Sequence, residues 1–344
     1  MATLKEIAKD CGVSFKTVSN VVNNYSHVSE KTRLRVMQSI KKKGYTPNET
    51  ARRMAMNKKG DNKYRPLKLQ FGCVLRPDIC KYQNPFFLEL FSEVEAKIIE
   101  DGNMVSFIES WDVLEKDPIL FNYLCDPLKL SGVISFAYRG EVLSRISKIC
   151  PTVTIGSNDI GLDFVEVDFE QGTRIAIEYL KKLGHNKIGF IGPFLDLPPD
   201  KYKPRYLAFQ KVMGELGLEL RSEWIASSHL YQVKSGYDAA QKLIKKKNLP
   251  TAVYCVCDEL AFGAMKAFRE AGMRIPGDIS VIGFDNLPMS ELVFSPLTTV
   301  SVNRLKMGQI AVKMLYNRIN NGKLPQQKRI IDVDLEIRES CRKI

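Results

Sequence analysis

The side chains best suited to specific recognition lie near the amino terminus, just after Ser14. Phe15, Lys16 and Asn20 would share the exposed half of a short helix that starts at Phe15. An asparagine amide can bond adenine bidentately, a lysine can donate to guanine, and an aromatic edge can contact the thymine methyl group. The combination predicts a surface that reads base edges in the major groove of DNA.

The charge of the chain is concentrated in the same region. Of the net charge of +12, residues 1–66 carry +10, from fifteen Lys or Arg and five Asp or Glu. A solvated helix face would explain one basic run such as residues 41–43, but not an excess confined to the first fifth of the chain. That distribution is typical of a surface that meets a polyanion, so we expect double-stranded DNA as a partner.

Three short helices are predicted to position this surface. Thr3 and Glu6 have the spacing of a capping box, so the first helix should begin at Leu4, and Gly12 should end it. Ser14 should cap a second helix over residues 15–23. Two short helices joined by a glycine-containing turn form a helix-turn-helix, whose second helix lies in the major groove.

A third helix, over residues 30–43, should pack behind the other two. Ser29 is placed to cap it and Gly44 to end it. The apolar residues of the second and third helices should face the inside of the bundle: Val18, Val21, Val22, Leu34, Met37 and Ile40.

From residue 67 onward, apolar strands alternate with amphipathic helices. Strands are predicted over residues 69–75, 104–108, 132–136, 153–155, 187–191, 252–256 and 280–283. Helices are predicted over residues 86–101, 173–183, 205–216, 236–246 and 259–271. The alternation predicts parallel sheets with helices on both faces, and there are too many units for one sheet. We therefore expect two doubly wound subdomains with a ligand cleft at the carboxyl ends of their strands.

The first 54 residues resemble a known DNA-binding head. The segment TLKEIAKDCGVSFKTVSNVVNNYSHVSEKTRLRVMQSIKKKGYTPNETARRM is similar to that of the lactose-repressor/galactose-repressor (LacI–GalR) family. Position 20 is Asn where the family usually has Arg, so the base pairs read there should differ, and the variable specificity position 16 is Lys. The resemblance implies DNA contacts from the head residues Thr3, Ser14, Phe15, Lys16, Thr17, Ser19, Asn20, Asn23 and His27.

The resemblance also implies a hinge helix that orders on operator DNA. Pro47 and Asn48 can start a helix over residues 49–56, which is too short to be stable alone in water. Arg52 and Arg53 would meet phosphates, and Met54, where the family usually has Leu, would wedge between base steps in the minor groove. The alternative is a solvated linker with an incidental methionine.

The resemblance continues through the body of the chain. It is carried by YLKKLGHNKIGFIGP, PTAVYCVCDELAFGAMKAFREAGMRIPGDISVIGFDN, SPLTTVSVNRLKMGQIAVKML and LEIRESC, in the family's order. It implies a small all-α helix-turn-helix head plus an α/β body of two doubly wound parallel-sheet subdomains, periplasmic-binding-protein-like, in a homodimer. The expected domains are 1–46 (head), 47–66 (hinge and linker) and 67–344 (effector binding and dimerisation). Within the last, the N-subdomain would span about 67–160 and 291–321, and the C-subdomain about 161–290 and 322–344.

Effector-binding residues follow from the same resemblance. Asp285 would accept hydroxyl hydrogen bonds from a sugar, Arg205 would offer a planar donor fork, and Phe86 or Phe87 would pack on the ligand, the other being a core residue.

Three further positions carry alternatives. Tyr231 lies near the place of a stacking aromatic, with Leu230 as the alternative. Asp258 matches a ligand-contacting acid and could equally cap its helix. Cys257 stands where the family usually has Asn, which removes a partner of the standard sugar contact.

Other classes of protein fit the sequence less well. No Walker, G-x-G-x-x-G or G-x-S-x-G motif and no histidine pair at metal spacing is present, so we expect no enzyme, catalytic residue, cofactor or metal. The amino terminus lacks a signal-peptide pattern, and no apolar run is long enough for a bilayer. Eight scattered cysteines without C-x-x-C indicate a reducing compartment.

We therefore predict a cytoplasmic regulator, most simply a repressor, which binds a palindromic operator and senses a sugar or sugar derivative. The alternative is a sugar-binding protein without a regulatory role. An architectural DNA binder would not need a cleft-forming body of this size.

Overall fold

The computed structural model describes residues 4–22, 28–43, 68–77, 84–136, 140–156, 161–193, 195, 204–322 and 324–344. The chain divides into two compact units, Met1–Leu67 and Lys68–Ile344.

The first unit contains the three predicted helices, α1 (Leu4–Asp10), α2 (Phe15–Val22) and α3 (Glu30–Lys43). The caps are as expected, since Ser14 Oγ accepts from the Thr17 amide at 3.0 Å and Ser29 Oγ from the Thr32 amide at 3.4 Å. Gly12 has a φ of +60°, the left-handed conformation that lets the chain turn between α1 and α2.

The buried face of α3 differs from the prediction. Leu34 is 60% exposed and Met37 52% exposed, whereas Val36 is fully buried and Ile40 packs against the core. Val36 and Ile40 are four residues apart and so lie on one side of the helix, with Ser39 between them; Leu34 lies opposite. Ser39 donates a 2.5 Å hydrogen bond to Asp10. The residue of α3 that contacts α1 there is therefore the polar Ser39 and not the predicted Met37. The Val22 side chain lies outside the described residues.

The second unit is built on two six-stranded sheets. The strands are β1 (Gln70–Leu75), β2 (Met104–Ser110), β3 (Leu130–Phe136), β4 (Thr152–Ile155), β5 (Asp163–Val167), β6 (Ile188–Pro193), β7 (Ile225–Ser228), β8 (Ala252–Cys255), β9 (Ser280–Asp285), β10 (Thr298–Val302), β11 (Lys328–Ile331) and β12 (Val333–Glu336). The first sheet has the order β11-β5-β4-β3-β1-β2 and is parallel throughout. The second has the order β12-β10-β9-β8-β6-β7, with only β12 antiparallel.

Helices cover both sheets. They are α4 (Pro85–Glu100), α5 (Trp111–Lys116), α6 (Pro118–Leu124), α7 (Glu141–Ser147), α8 (Phe169–Lys182), α9 (Pro204–Glu215), α10 (Val233–Ile244), α11 (Asp258–Glu270), α12 (Met289–Leu292) and α13 (Arg304–Asn320). Because both faces of these sheets are covered, central strands such as β3 and β9 are buried at every position, which explains why most of their residues are apolar.

Helices α10 and α11 approach each other unusually closely. A Cβ atom at Gly263 would lie 1.9 Å from the carbonyl oxygen of Val233, and one at Gly236 would lie 2.2 Å from that of Leu260. Only glycine fits at these two positions.

Strand pairing places the subdomain boundaries differently from the expected ones. Strands β5 and β11 belong to the first sheet, and β10 belongs to the second. The chain therefore leaves the first subdomain after Val167, returns after Val302 rather than near Glu291, and leaves again after Ile331 rather than near Gly322. These short strands were not among those predicted, and so each crossing was expected earlier in the chain than it falls.

A buried ion pair holds the edge of the first sheet. Arg318 of α13 contacts both carboxylate oxygens of Asp163, at 2.9 and 2.6 Å, at the start of β5. Asp163 also accepts from the Gln327 amide at 2.7 Å, which ties the segment before β11 to β5.

Candidate functional sites: a recognition helix and an effector cleft

Helix α2 presents the predicted recognition surface. Val18 and Val21 face the core, while Phe15 and Lys16 are exposed and Ser19 and Asn20 are half-buried. Residues 15, 16, 19 and 20 therefore lie on the outer side of the helix. The helix has no acidic residue, so the surface carries no charge that would repel phosphate.

Part of the predicted DNA-binding set lies outside the described residues. These residues are Thr3, Asn23, His27, Arg52, Arg53 and Met54. Of the remaining candidates, Ser14 and Thr17 are joined by a 2.9 Å hydrogen bond between their hydroxyl groups at the start of α2. Both therefore hold the end of the helix that would enter the groove.

In the second unit, the predicted effector residues all follow strand ends on the cleft side. Arg205 opens α9 after β6, Tyr231 follows β7, Asp258 follows β8 and Asp285 ends β9. Carboxyl ends of neighbouring parallel strands meet at one edge of a sheet, so residues far apart in sequence come together there.

Asp285 has the features of a ligand-binding acid. Its φ of 120° is strained for a residue with a side chain, and the side chain is buried. Burial raises the pKa of Asp285 well above its usual range, which the positive charge of Arg205 only partly offsets. Within the part of the chain that the structure describes, no group donates a hydrogen bond to this carboxylate. Asp285 keeps 6% of its surface exposed, so its carboxylate can accept from a ligand in the cleft.

Arg205 lies among aromatic rings beside Asp285. Its guanidinium carbon is 4.3 Å from the centre of the Phe169 ring, 5.0 Å from that of Phe284 and 5.7 Å from that of Tyr231. One guanidinium nitrogen donates to the carbonyl oxygen of Val256, which fixes the group in place. The position of the Tyr231 ring favours Tyr231 over Leu230 as the aromatic of this site.

Asp258 is a structural carboxylate rather than a ligand-binding one. It is fully buried and accepts hydrogen bonds from the Leu287 amide at 2.8 Å, the Ser290 hydroxyl at 2.7 Å and the Thr299 hydroxyl at 2.5 Å. These donors occupy the carboxylate, so Asp258 is withdrawn from the predicted effector set. It is not a helix cap either, because Cys257 is the N-cap residue of α11 and Asp258 the first helical residue.

Cys257 is buried at the floor of the cleft. Burial raises the pKa of its thiol well above the ordinary value, and the nearby Asp285 adds to the effect. The thiol therefore stays protonated, and the position offers a small apolar surface where an amide would offer two hydrogen bonds.

Phe86 and Phe87 form the wall contributed by the first subdomain. Both are half-buried, and their rings meet edge to face with centres 5.3 Å apart. The Arg76 guanidinium lies 6.0 Å from the centre of the Phe87 ring. Arg76 was not predicted, although its position directly after β1 was a usable signal.

Polar contacts of Asn84 and of Arg304 join the subdomains beside the cleft. Asn84 Nδ2 donates to Glu259 Oε2 at 2.8 Å, and Arg304 Nε contacts Glu89 Oε2 at 2.7 Å. Arg304 also donates to the carbonyl oxygens of Asp285 and Asn286. Arg304 therefore connects the strained end of β9 to α4 in the other subdomain. Sequence reasoning missed both contacts.

The described ranges contain neither a metal-ligand cluster nor a helix that could cross a membrane. No three His, Cys, Asp or Glu side chains come together there as ligands for a metal ion. None of the helices described is both long and apolar enough to span a membrane.

The head and the body each match a known family. Residues 3–48 match the model of bacterial regulatory proteins of the lacI family, and residues 177–341 match the periplasmic binding protein-like domain. A helix-turn-helix head with such a body defines the class: DNA-binding transcriptional regulators rather than enzymes.

Similarity over the full length supports a more specific assignment. The chain is 30% identical over 352 residues to the HTH-type transcriptional repressor PurR of Pasteurella multocida, covering 99% of both chains. It is 30% identical over 353 residues to the PurR protein of Mannheimia succiniciproducens, covering 100% of both. The chain belongs to the LacI family and is a DNA-binding transcriptional repressor of that family.

Solved structures share the fold. The lac repressor dimer bound to operator and the anti-inducer ONPF has a TM-score of 0.71 at 24% identity, covering 99% of each chain. The transcriptional regulator CelR–cellobiose complex has a TM-score of 0.69 at 23% identity, covering 99% of this chain and 100% of that one. A LacI family regulator from Enterococcus faecium with bound ribose has a TM-score of 0.67 at 25% identity, covering 80% of this chain and 99% of the other.

Proposed function

We propose that this repressor binds a palindromic operator as a homodimer in the cytoplasm, and that a sugar or sugar derivative in the cleft controls its operator affinity. The observation that carries the effector part is the buried Asp285 carboxylate, which has no donor among the described residues and lies beside Arg205. Vicinal hydroxyl groups would supply the missing donors. The ribose-bound structure of a relative supports a sugar of modest size.

The rest of the cleft suits such a ligand. Phe86 and Phe87 from one subdomain and Tyr231 from the other would pack on the apolar faces of a sugar ring. Arg205 would donate to ring or phosphate oxygens, so phosphorylated sugars are included in the proposal.

Exposed apolar residues support the homodimer. In the first subdomain Ile99, Ile119 and Tyr123 are exposed, and in the second Leu292 and Phe294 are 77% and 81% exposed. Large exposed apolar side chains in both subdomains are expected when a protein interface runs along both. A two-fold dimer presents two recognition helices, which is why the operator should be palindromic.

The cleft contacts suggest how effector binding alters DNA binding. An effector touching Phe86 and Asp285 at once would favour one orientation of the subdomains, because it bridges them. The contacts of Asn84 with Glu259, and of Arg304 with the carbonyl oxygens of Asp285 and Asn286, would form or break with the same rotation. The chain enters β1 directly after the hinge segment, so the rotation would move the hinges of a dimer relative to each other. A coupling of roughly 1–3 kcal/mol is enough for a useful switch.

The test is operator selection from fragmented genomic DNA at fixed salt, with and without a panel of sugars and sugar phosphates. A palindromic site whose affinity one sugar shifts supports the proposal, and the direction of the shift identifies inducer or co-repressor. Binding without sequence preference contradicts the proposed operator recognition. A site whose affinity no sugar changes contradicts the proposed effector.

A further inference from the structure

A second cavity lies where the chain crosses between the subdomains, apart from the effector cleft. Its volume is about 480 Å³, which is enough for a small organic molecule. The first sheet contributes the end of β5 and part of β11, and the second subdomain contributes the start of α8 and the first turns of α9. Its lining residues are Glu166, Val167, Asp168, Phe169, Glu170, Pro204, Leu207, Ala208, Lys211, Lys328 and Ile330.

One side of this crossover pocket is apolar although it faces solvent. Leu207 and Ile330 are both exposed, and Phe169 is half-buried beside them. Ile330 is the register partner of Glu166 across β11 and β5, so these two side chains point to the same face of the sheet. The pocket thus combines an apolar wall with a carboxylate next to it.

The acids of the pocket differ in what they already contact. The Asp168 carboxylate caps α8 by accepting from the Gln171 amide at 2.9 Å. Glu170 is paired with Lys211 at 2.7 Å. Glu166 is half-buried, and no hydrogen bond or ion pair joins its carboxylate to any residue in the described ranges. Glu166 is therefore the acid of this pocket that is left for a ligand.

Phe169 links the pocket to the effector cleft. Phe169 lines the pocket, and its ring lies 4.3 Å from the guanidinium carbon of Arg205. A molecule that presses on this ring would act on the side chain that borders Asp285. Because the walls belong to both subdomains, the shape of the pocket must also change when they rotate.

We propose that the crossover pocket is a second small-molecule site, which binds an amine with an apolar body and modulates the effector cleft. The ammonium group would donate to Glu166, and the apolar body would cover Leu207, Ile330 and Phe169. An occupant that fits only one orientation of the subdomains changes the affinity for the effector.

The test uses benzylamine as the cationic probe and benzyl alcohol as its uncharged counterpart, titrated into the full-length protein by calorimetry. Glu166→Gln should weaken benzylamine binding roughly tenfold to a hundredfold, the value expected for one hydrogen bond to a charged group. Leu207→Gln should weaken it through the apolar wall. Glu336→Gln, which removes an exposed acid outside the pocket, should leave it unchanged.

The controls distinguish this site from the effector cleft. The proposal is overturned if the unaltered protein shows no saturable benzylamine binding, or if benzyl alcohol binds as well as benzylamine. It is also overturned if Glu166→Gln leaves benzylamine binding unchanged, or if Asp285→Asn abolishes it instead. Because no hydrogen bond or ion pair within the described residues ends on the Glu166 carboxylate, its variant should unfold at the same denaturant concentration as the original protein. Failure of the benzylamine experiment does not contradict the proposed sugar site, because that site is tested separately with sugars and with Asp285→Asn.

Discussion

Replacement of Asp285 by asparagine should separate effector binding from folding. The side chain is buried and accepts no hydrogen bond from the described residues. Replacing the carboxylate by an amide therefore breaks no hydrogen bond among those residues. Asparagine keeps the size of the side chain and tolerates the positive φ of 120° better than most residues. We therefore expect little change in stability, because the cost of burying the charge and its attraction to Arg205 are lost together.

The effect on effector binding can be estimated from the same geometry. The carboxylate can accept from two hydroxyl groups, whereas the amide keeps one acceptor oxygen and turns a donor toward the second hydroxyl. Losing one hydrogen bond to a charged acceptor costs about 1.5–3 kcal/mol, or about 10- to 150-fold in affinity. Operator affinity without the sugar should stay the same, because the site lies in the other compact unit from the recognition helix.

Asp258 provides the matched control, since it is also buried but accepts three hydrogen bonds. Asp258→Asn would place an amide donor against the donors of Leu287, Ser290 and Thr299. We expect a loss of roughly 3 kcal/mol or more of unfolding free energy, because a satisfied buried network is broken.

Urea unfolding measures the stability of both variants, and titration of the operator complex with the active sugar measures their response. If Asp285→Asn unfolds readily or keeps its full sugar response, the assignment of Asp285 is wrong. If Asp258→Asn folds normally and loses only the sugar response, the roles of the two acids are reversed.

Three further predictions concern the head, the cleft and the core. Lys16→Ala and Asn20→Ala should each relax the base preference at one or two operator positions. Each lost base contact should cost about 1–3 kcal/mol of discrimination. An unchanged preference in an operator-selection experiment would mean that α2 does not contact the bases. The pKa of Glu259 is raised to about 7 by burial, so the protonated form stabilises the fold at low pH, and this stability is lost as the pH rises from the ordinary value of 4.5 toward 7. Glu259→Gln, which can still accept from Asn84, should flatten that dependence between about pH 4.5 and about pH 7. The expected change is on the order of 1–2 kcal/mol, because the group is partly exposed. An unaltered urea-unfolding profile would show that Glu259 is fully solvated. Gly263→Ala should destabilise the fold by several kcal/mol, on the order of the largest single-residue effects, because its Cβ would meet the Val233 carbonyl oxygen. If the thermal unfolding midpoint equals that of the original protein, α10 and α11 separate easily.

The family assignment and much of the cleft were accessible from the sequence. The three helices of the head begin where predicted, because capping by Ser14 and Ser29 depends on residues three positions away. The central strands were found because strands covered on both faces are continuously apolar. Arg205 and Asp285 were placed at strand ends by the family resemblance, and the structure brings them together.

Other features were decided only by contacts between distant residues. The inner face of α3 depends on which side meets α1, so the exposed Leu34 and Met37 could not be told from the buried Val36 by spacing alone. The short strands β5, β10 and β11 owe their existence to their neighbours in the sheets, and so the three crossings were expected earlier in the chain than the structure places them.

The two buried acids show most clearly what sequence alone determined and what it did not. Asp258 and Asp285 both follow apolar strands, so local pattern predicted two polar groups at one sheet edge. Donors from residues 287, 290 and 299 satisfy one of them, and none among the described residues reaches the other. Which acid is structural and which is open to a ligand therefore depends on where the following strand and helix fold back, a property of the tertiary structure alone.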